Sequence, residues 1–178
     1  ETADNIAAKY GVKAIALYKD LSTLEAPGEL YQYCQENHLE GEVLVNNAGG
    51  VRDAIYTTGE GLEATFAANH LAPFLLTREL LPLLERGVAN NAANAVRVIA
   101  VSSSAHEHIP GMNWDDLMFR NGPAGAAYCQ AKLANLLYTR ELNRKLAAKG
   151  IVAQAMHPGL VHSNFASHGD QNMQDHFA

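Results

Sequence analysis

Cysteine is scarce in this chain of 178 residues. Cys34 and Cys129 lie far apart, each inside a helical pattern, so neither a disulfide framework nor a C-x-x-C redox or zinc motif is indicated. Basic residues are too few for a phosphate footprint, since the formal net charge is -6 and the pI is near 5.7. A nucleic-acid surface needs a clustered excess of Lys and Arg, so no nucleic-acid partner is expected. No run approaches the roughly 18 to 20 apolar residues of a membrane span, and no signal peptide opens the chain, which makes a cytoplasmic protein the expectation. Neither G-x-x-x-G-x-G nor G-x-G-x-x-G occurs, so the backbone cradle that such turns offer to a pyrophosphate is missing. The chain opens on Glu1-Thr2-Ala3-Asp4, residues that already read as helix, and is expected to be a piece of something longer. The histidines are scattered. His106 and His108 stand two apart without a cysteine or carboxylate cluster, so no metal site is expected.

With 48% hydrophobic and 18% charged residues, the chain has the apolar material for one globular domain, 1–178. Residues 2–10 read as a helix that Gly11 stops, and 12–17 as a short apolar strand. Ser22-x-x-Glu25 has capping-box spacing for a helix to about residue 37, which Pro27-Gly28 interrupts in its first turns. The run 42–45 reads as a parallel strand buried on both faces, 61–86 as a helix, 87–94 as a connection and 96–101 as a strand. A long connection at 105–125 precedes the clearest helix, 126–149, and a last strand at 151–155. Strand and helix alternate, so the class is α/β with a parallel sheet and right-handed crossovers.

In such sheets ligands bind beyond the carboxyl ends of the strands. There the chain places Asp20, the turn Asn46-Asn47-Ala48-Gly49-Gly50, the run Ser102-Ser103-Ser104, and His157-Pro158-Gly159. On the helix 126–149, Tyr128 and Lys132 are four residues apart and share one face. An ammonium beside a phenol favours the phenolate and would bring it within reach of acid-base work. A packed ring beside a solvated ammonium is the bland reading of that pair, and a polar strand end satisfied by water that of the serines. Pro73 has no amide hydrogen, so the carbonyl of Asn69 is released from the helical ladder and is free to hold a water. A simple kink at Pro73 is the alternative.

Taken in order, Asn46-Asn47-Ala48-Gly49, Asn69, Ser103, Tyr128-x-x-x-Lys132 and Pro158-Gly159 resemble the short-chain dehydrogenase/reductase family. The text around Asn69 to Thr77 and Ala127 to Leu137, with the insertion at Trp114-Asp115-Asp116-Leu117, resembles its retinol-dehydrogenase-like branch. The resemblance implies a Rossmann-like doubly wound sheet and an oxidoreductase that interconverts an alcohol and a carbonyl, with NAD or NADP and a lipophilic substrate. It implies Tyr128 as general acid and base, its pKa lowered by Lys132 and by an oxidised nicotinamide, and Lys132 as a holder of the ribose. Ser103 would donate to the substrate oxygen, and Asn69 would anchor a water leading to the lysine. Asp20, Asn46, Ala48 and Gly49 would serve the adenosine side, and Pro158, Gly159 and Ser163 the nicotinamide end. A homodimer through helices 61–86 and 126–149 is implied as well.

The phosphate turn and the first two strands of that family are absent from this sequence, which makes the doubly wound sheet incomplete. In the strand order 3-2-1-4-5-6, the run 12–17 would be strand 3 and 42–45 strand 4, so the bridge between them is lacking. The expectation is a core of three strands at 42–46, 96–102 and 151–155, with residues 1–20 loosely attached or placed differently from the complete family fold. A rival reading keeps this remnant as a non-catalytic interaction module.

Overall fold

The computed structural model describes residues 2–21, 23–161 and 163–177. Among these, three strands form one parallel sheet in the order β1 (Val43–Asn46), β2 (Val96–Val101), β3 (Ile151–Met156). Val43 pairs with Arg97 and Arg97 with Val152, so the three carboxyl ends finish together at Asn46, Val101 and Met156. The expected three-strand core is therefore present. Its helices are α1 (Thr2–Tyr10), α2 (Ala26–Glu36), α3 (Ala64–Phe66), α4 (Ala72–Asn90), α5 (Ala124–Leu146) and α6 (Gln171–Phe177). The helix expected at 61–86 thus starts at Ala64 and continues to Asn90, taking in part of the predicted connection at 87–94.

The strand expected at 12–17 does not form. Those residues are coil, with Val12, Ile15 and Leu17 exposed, because no neighbouring strand offers them a ladder. Helix α1 buries none of its residues, and Gly11, at φ +64°, ends it with an amide bond to the Ala7 carbonyl. Ser22 of the expected capping box lies outside the described residues; helix α2 begins with proline in its first turn and packs on α4.

Alternation along the sheet separates two faces. Leu44, Val96, Val98, Ile151 and Ala153 pack with Leu84, Leu142 and Leu146 of α4 and α5, forming the main core. Val43 and Val45 project to the second face and are each more than half exposed, at 53% and 52%. The expectation of burial on both faces fails for this strand because β1 is an edge strand and residues 12–20 do not cover it. A close approach sets the entry to β1. Gly87 of α4 lies against the Gly41 carbonyl, and the Gly41 amide bonds to the Leu83 carbonyl at 3.3 Å.

Among the described residues no helix is long and apolar enough to cross a membrane. Cys34 and Cys129 are both free thiols.

Candidate active site

The sheet's carboxyl edge opens into a cavity of about 820 Å³. Ala48, Gly49, Ser103, Tyr128, Lys132, Pro158, Gly159 and Ser163 all line it, although four separate segments carry them. The structure thus brings together eight residues that the sequence singles out, and leaves Asp20, Asn46 and Asn69 outside the lining.

Helix α5 delivers the central pair. Its N-terminal part is anchored to the end of β2 by the Ser102 hydroxyl, which donates to the Lys132 carbonyl at 2.9 Å, and by the Lys132 ammonium, which donates to the Val101 carbonyl at 3.1 Å. Lys132 is buried at 4% exposure, and burial pushes its pKa down from 10.5 to about 8. Its ammonium lies 5.4 Å from the centre of the Tyr128 ring. Burial likewise pushes the Tyr128 phenol above its ordinary range, and a hydrogen bond with the Ser103 side chain offsets part of that rise. The expected lowering of Tyr128 by Lys132 is therefore not what the protein alone shows. The ammonium lies over the ring, and desolvation is the largest influence on the phenol.

Ser103 is held at a defined position. Its hydroxyl accepts from the Ala105 amide at 3.2 Å, capping the short turn Ser104–His108, while its carbonyl is hydrogen-bonded to His106 Nδ1 at 2.6 Å. Ser163 plays a similar local part, accepting from the Phe165 amide at 3.3 Å. Gly159 lines the cavity in a left-handed conformation, at φ +78°, that glycine adopts without strain.

Asn69 works from behind the lining. Its Nδ2 donates to the carbonyls of Gly50 and Thr65 at 2.9 and 2.8 Å, and its Oδ1 accepts from the Gly50 amide at 3.2 Å. The side chain thereby fixes the turn after β1. The carbonyl that Pro73 releases accepts from Asn135 Nδ2 at 2.9 Å, so a side chain of α5 takes the place where a water was expected. The helix accommodates Pro73 by widening into a π turn, Ala67–Leu71, with the Ala72 amide bonding to the Ala67 carbonyl. Asn46 is also structural in its contacts: its Nδ2 donates to the Thr77 hydroxyl at 2.9 Å, tying β1 to α4. Asp20 is exposed and acts electrostatically on Glu60. It stands apart because residues 12–20 are not a sheet strand and do not end at the shared carboxyl edge.

Several contributors carry no legible sequence signal. Phe165 meets the Tyr128 ring edge-on at 5.5 Å, and Val51, Leu160 and Val161 add apolar wall. They come from irregular segments where no periodicity marks a core face. Gln130 is fully buried beside the site, and its amide clamps the long connection. Its Oε1 accepts from the Asn113 amide at 2.6 Å, and its Nε2 donates to the Leu117 carbonyl at 2.9 Å.

The donor set fits the nicotinamide and ribose end of a dinucleotide. Lys132 offers a buried ammonium with hydrogens beyond its bond to Val101, and a methyl group at Gly49 would stand only 3.7 Å from Lys132 Nζ. A methyl at position 49 would collide with Asn69 Oδ1, so glycine is what lets the turn lie against that side chain. Among the described residues no group of three His, Cys, Asp or Glu is placed to hold a metal ion.

Comparison with known proteins bears on the family and the fold. The family model described as short chain dehydrogenase matches residues 1–174. Human retinol dehydrogenase 13 is 38% identical over 156 residues, which is 86% of this chain and 45% of that protein. Human retinol dehydrogenase 11 is 39% identical over 137 residues, 75% of this chain and 40% of the relative. The chain thus spans less than half the length of these two relatives. Among solved structures, the Pseudomonas aeruginosa RhlG/NADP active-site complex superposes with a TM-score of 0.72 at 28% identity, covering 97% of this chain and 63% of that one. An uncharacterized protein from Mycobacterium paratuberculosis gives 0.66 at 34% identity, covering 97% and 62%.

Proposed function

The chain belongs to the short-chain dehydrogenase family, and from that premise we propose that it is the catalytic portion of an NAD- or NADP-dependent oxidoreductase interconverting a lipophilic alcohol and its carbonyl. The observation that carries the reading is the convergence of Ser103, Tyr128 and Lys132 on one wall of the cavity. The apolar wall of Val51, Leu160, Val161 and Phe165 supports a lipophilic substrate, as do the retinol dehydrogenases among the relatives.

In this reading NAD or NADP, when bound, accepts or supplies the hydride. Tyr128 gives its phenolic proton to the carbonyl oxygen during reduction and takes the hydroxyl proton during oxidation. Ser103 donates to the same oxygen as charge develops on it. Lys132 would hold the nicotinamide ribose through its ammonium, with Pro158, Gly159 and Ser163 around the nicotinamide end and Ala48 and Gly49 toward the adenosine. Asn69 keeps the turn in place. A phenol raised by burial is protonated at neutral pH, which suits it to the reductive direction until a positive charge arrives beside it.

Titration with NAD and with NADP, in this chain and in a protein that also carries a glycine-rich phosphate turn ahead of it, tests the proposal. Binding by neither would sink it. With the cofactor bound, Tyr128→Phe is expected to abolish turnover of lipophilic alcohols and aldehydes while cofactor affinity changes by less than about threefold. The open second face of the sheet, with Val43 and Val45 exposed, favours one other reading, an interaction module without turnover. Pairing of two copies through α4 and α5 is part of the proposal, and sedimentation equilibrium checks it.

A further inference from the structure

Behind the cavity, α3 and α4 meet α5 around a side chain that the mechanism above does not use. His70 lies in the π turn and is packed among three rings: Phe66 at 5.1 Å, Phe74 at 6.4 Å and Tyr138 at 6.1 Å between centroids. Its Nδ1 is hydrogen-bonded to Asn135 Oδ1 at 2.8 Å. Asn135 is itself buried at 5% exposure, and its Nδ2 donates to the Asn69 carbonyl. Because that nitrogen is the donor to Asn69, the oxygen of the same amide faces His70 and can only accept. The imidazole must then carry its proton on Nδ1. Burial among the rings keeps it neutral by pushing its pKa below the ordinary range, with the Asn135 bond opposing.

The chain of bonds runs on toward the site. Asn69 presents its backbone carbonyl to Asn135 and its side chain to both backbone groups of Gly50. Gly49, next in line, lies against the Asn69 side chain, and a Cβ there would stand 3.7 Å from Lys132 Nζ. We propose that His70 and Asn135 are positioning residues that set the orientation of Asn69, and through it the turn at Gly49 and Gly50 against Lys132. The imidazole fixes which way the Asn135 amide points, and the amide fixes the carbonyl that Pro73 leaves without a helical donor. Without the imidazole proton, Asn135 Oδ1 loses its donor and the amide is held from one side only, by the Asn69 carbonyl, so that carbonyl is held less firmly. The assignment rests on reading this cavity as the active site only for its functional meaning; the coupling itself is a property of the chain.

The test uses the 178-residue chain and nitrogen-15 NMR. In the unaltered protein, long-range imidazole correlations should show His70 as the Nδ1-protonated tautomer; the Nε2-protonated form would overturn the proposal without any mutant. His70→Phe keeps the ring packing and removes the donor, and is expected to raise the exchange rate of the Gly50 amide by about tenfold or more. His70→Asn returns an amide donor near the Nδ1 position and should bring that rate back to within about threefold of the original. Asn135→Asp, which accepts from His70 but cannot donate to Asn69, should behave like His70→Phe. An unchanged Gly50 rate in both folded variants, or a uniform rise across the whole chain that His70→Asn fails to reverse, would refute it. These readouts need no cofactor. Loss of the dehydrogenase reading alone would leave the Gly50 coupling intact, and loss of the coupling alone would leave cofactor binding intact.

Discussion

The ammonium of Lys132 lies 5.4 Å from the centre of the Tyr128 ring and donates to the Val101 carbonyl rather than to the phenol oxygen. This places the lysine as a neighbour of the ring and of the turn at Gly49, while the Ser103 side chain is the partner that reaches the hydroxyl. The division has consequences that can be measured on each group separately.

The phenol of Tyr128 is expected to titrate above its ordinary value of 10 in the free protein, since desolvation is the dominant influence. Ser103→Ala should move it further up, because the hydrogen bond that favours the phenolate is lost. Lys132→Met should move it less. Carbon-13 titration of the tyrosine rings checks this, and a larger effect from Lys132→Met than from Ser103→Ala would reverse the ranking.

Burial of Lys132 makes folding stability depend on alkaline pH in a direction that can be worked out. The folded pKa is depressed to about 8 from 10.5, so between those values the unfolded chain binds more protons than the folded one. Stability relative to Lys132→Met should therefore be flat below about pH 8, where the full cost of burying the charge is present. It should rise as the pH climbs toward 10.5, by up to about tenfold in the folding constant per pH unit. Urea denaturation at a series of pH values provides the comparison, and a fall across that window would show that the charge is satisfied rather than strained.

Much of this was open to reading from the residues, for physical reasons that also explain the rest. Val96 to Val101 and Ile151 to Met156 are strands because short apolar runs ending in polar turns have few other uses, and Tyr128 and Lys132 share a face because helix periodicity dictates it. Residues 12–17 have the same local character, yet stay coil, since a strand exists only through a partner that local sequence does not contain. The role of Asn69 was legible only in part. Proline at 73 announces a free carbonyl, but that Asn135, 66 positions away, supplies its donor depends on how α5 crosses the π turn. Gln130, Phe165 and His70 were silent in the pattern because their contacts are made with irregular or distant segments.

Gln130→Leu should loosen the long connection without moving Tyr128 far. The substitution keeps a buried side chain of similar size but removes the acceptor for the Asn113 amide and the donor for the Leu117 and Asp116 carbonyls. The expected loss is about 2 kcal/mol, because some of the freed groups can reach water. Urea unfolding measures it, and limited proteolysis should show new cleavage within 109–121. Gln130→Glu separates the two roles, since a carboxylate can still accept from Asn113 but has nothing to donate when ionised. A stability equal to that of the unaltered protein in both variants would mean that the clamp contributes nothing.

Gly87→Ala poses two effects of opposite sign. In a helix interior alanine is favoured over glycine by about 1 kcal/mol, so α4 alone would gain from the change. The added methyl, however, would be driven into the backbone carbonyl of Gly41, which is not the movable end of a side chain and is itself held by the bond from its amide to Leu83. Separating α4 from the entry to β1 also opens the packing of Leu84 against Val96 and Val98. Overpacking of this kind costs about 1 to 3 kcal/mol, and the rigidity of the contact puts the net result on the destabilising side. Thermal unfolding should show a lower midpoint for Gly87→Ala, while Gly28→Ala in α2, where nothing lies within 4 Å of the new methyl, should not. A midpoint raised by Gly87→Ala would mean that β1 and α4 can part without loss, and that this contact does not set the strand's position.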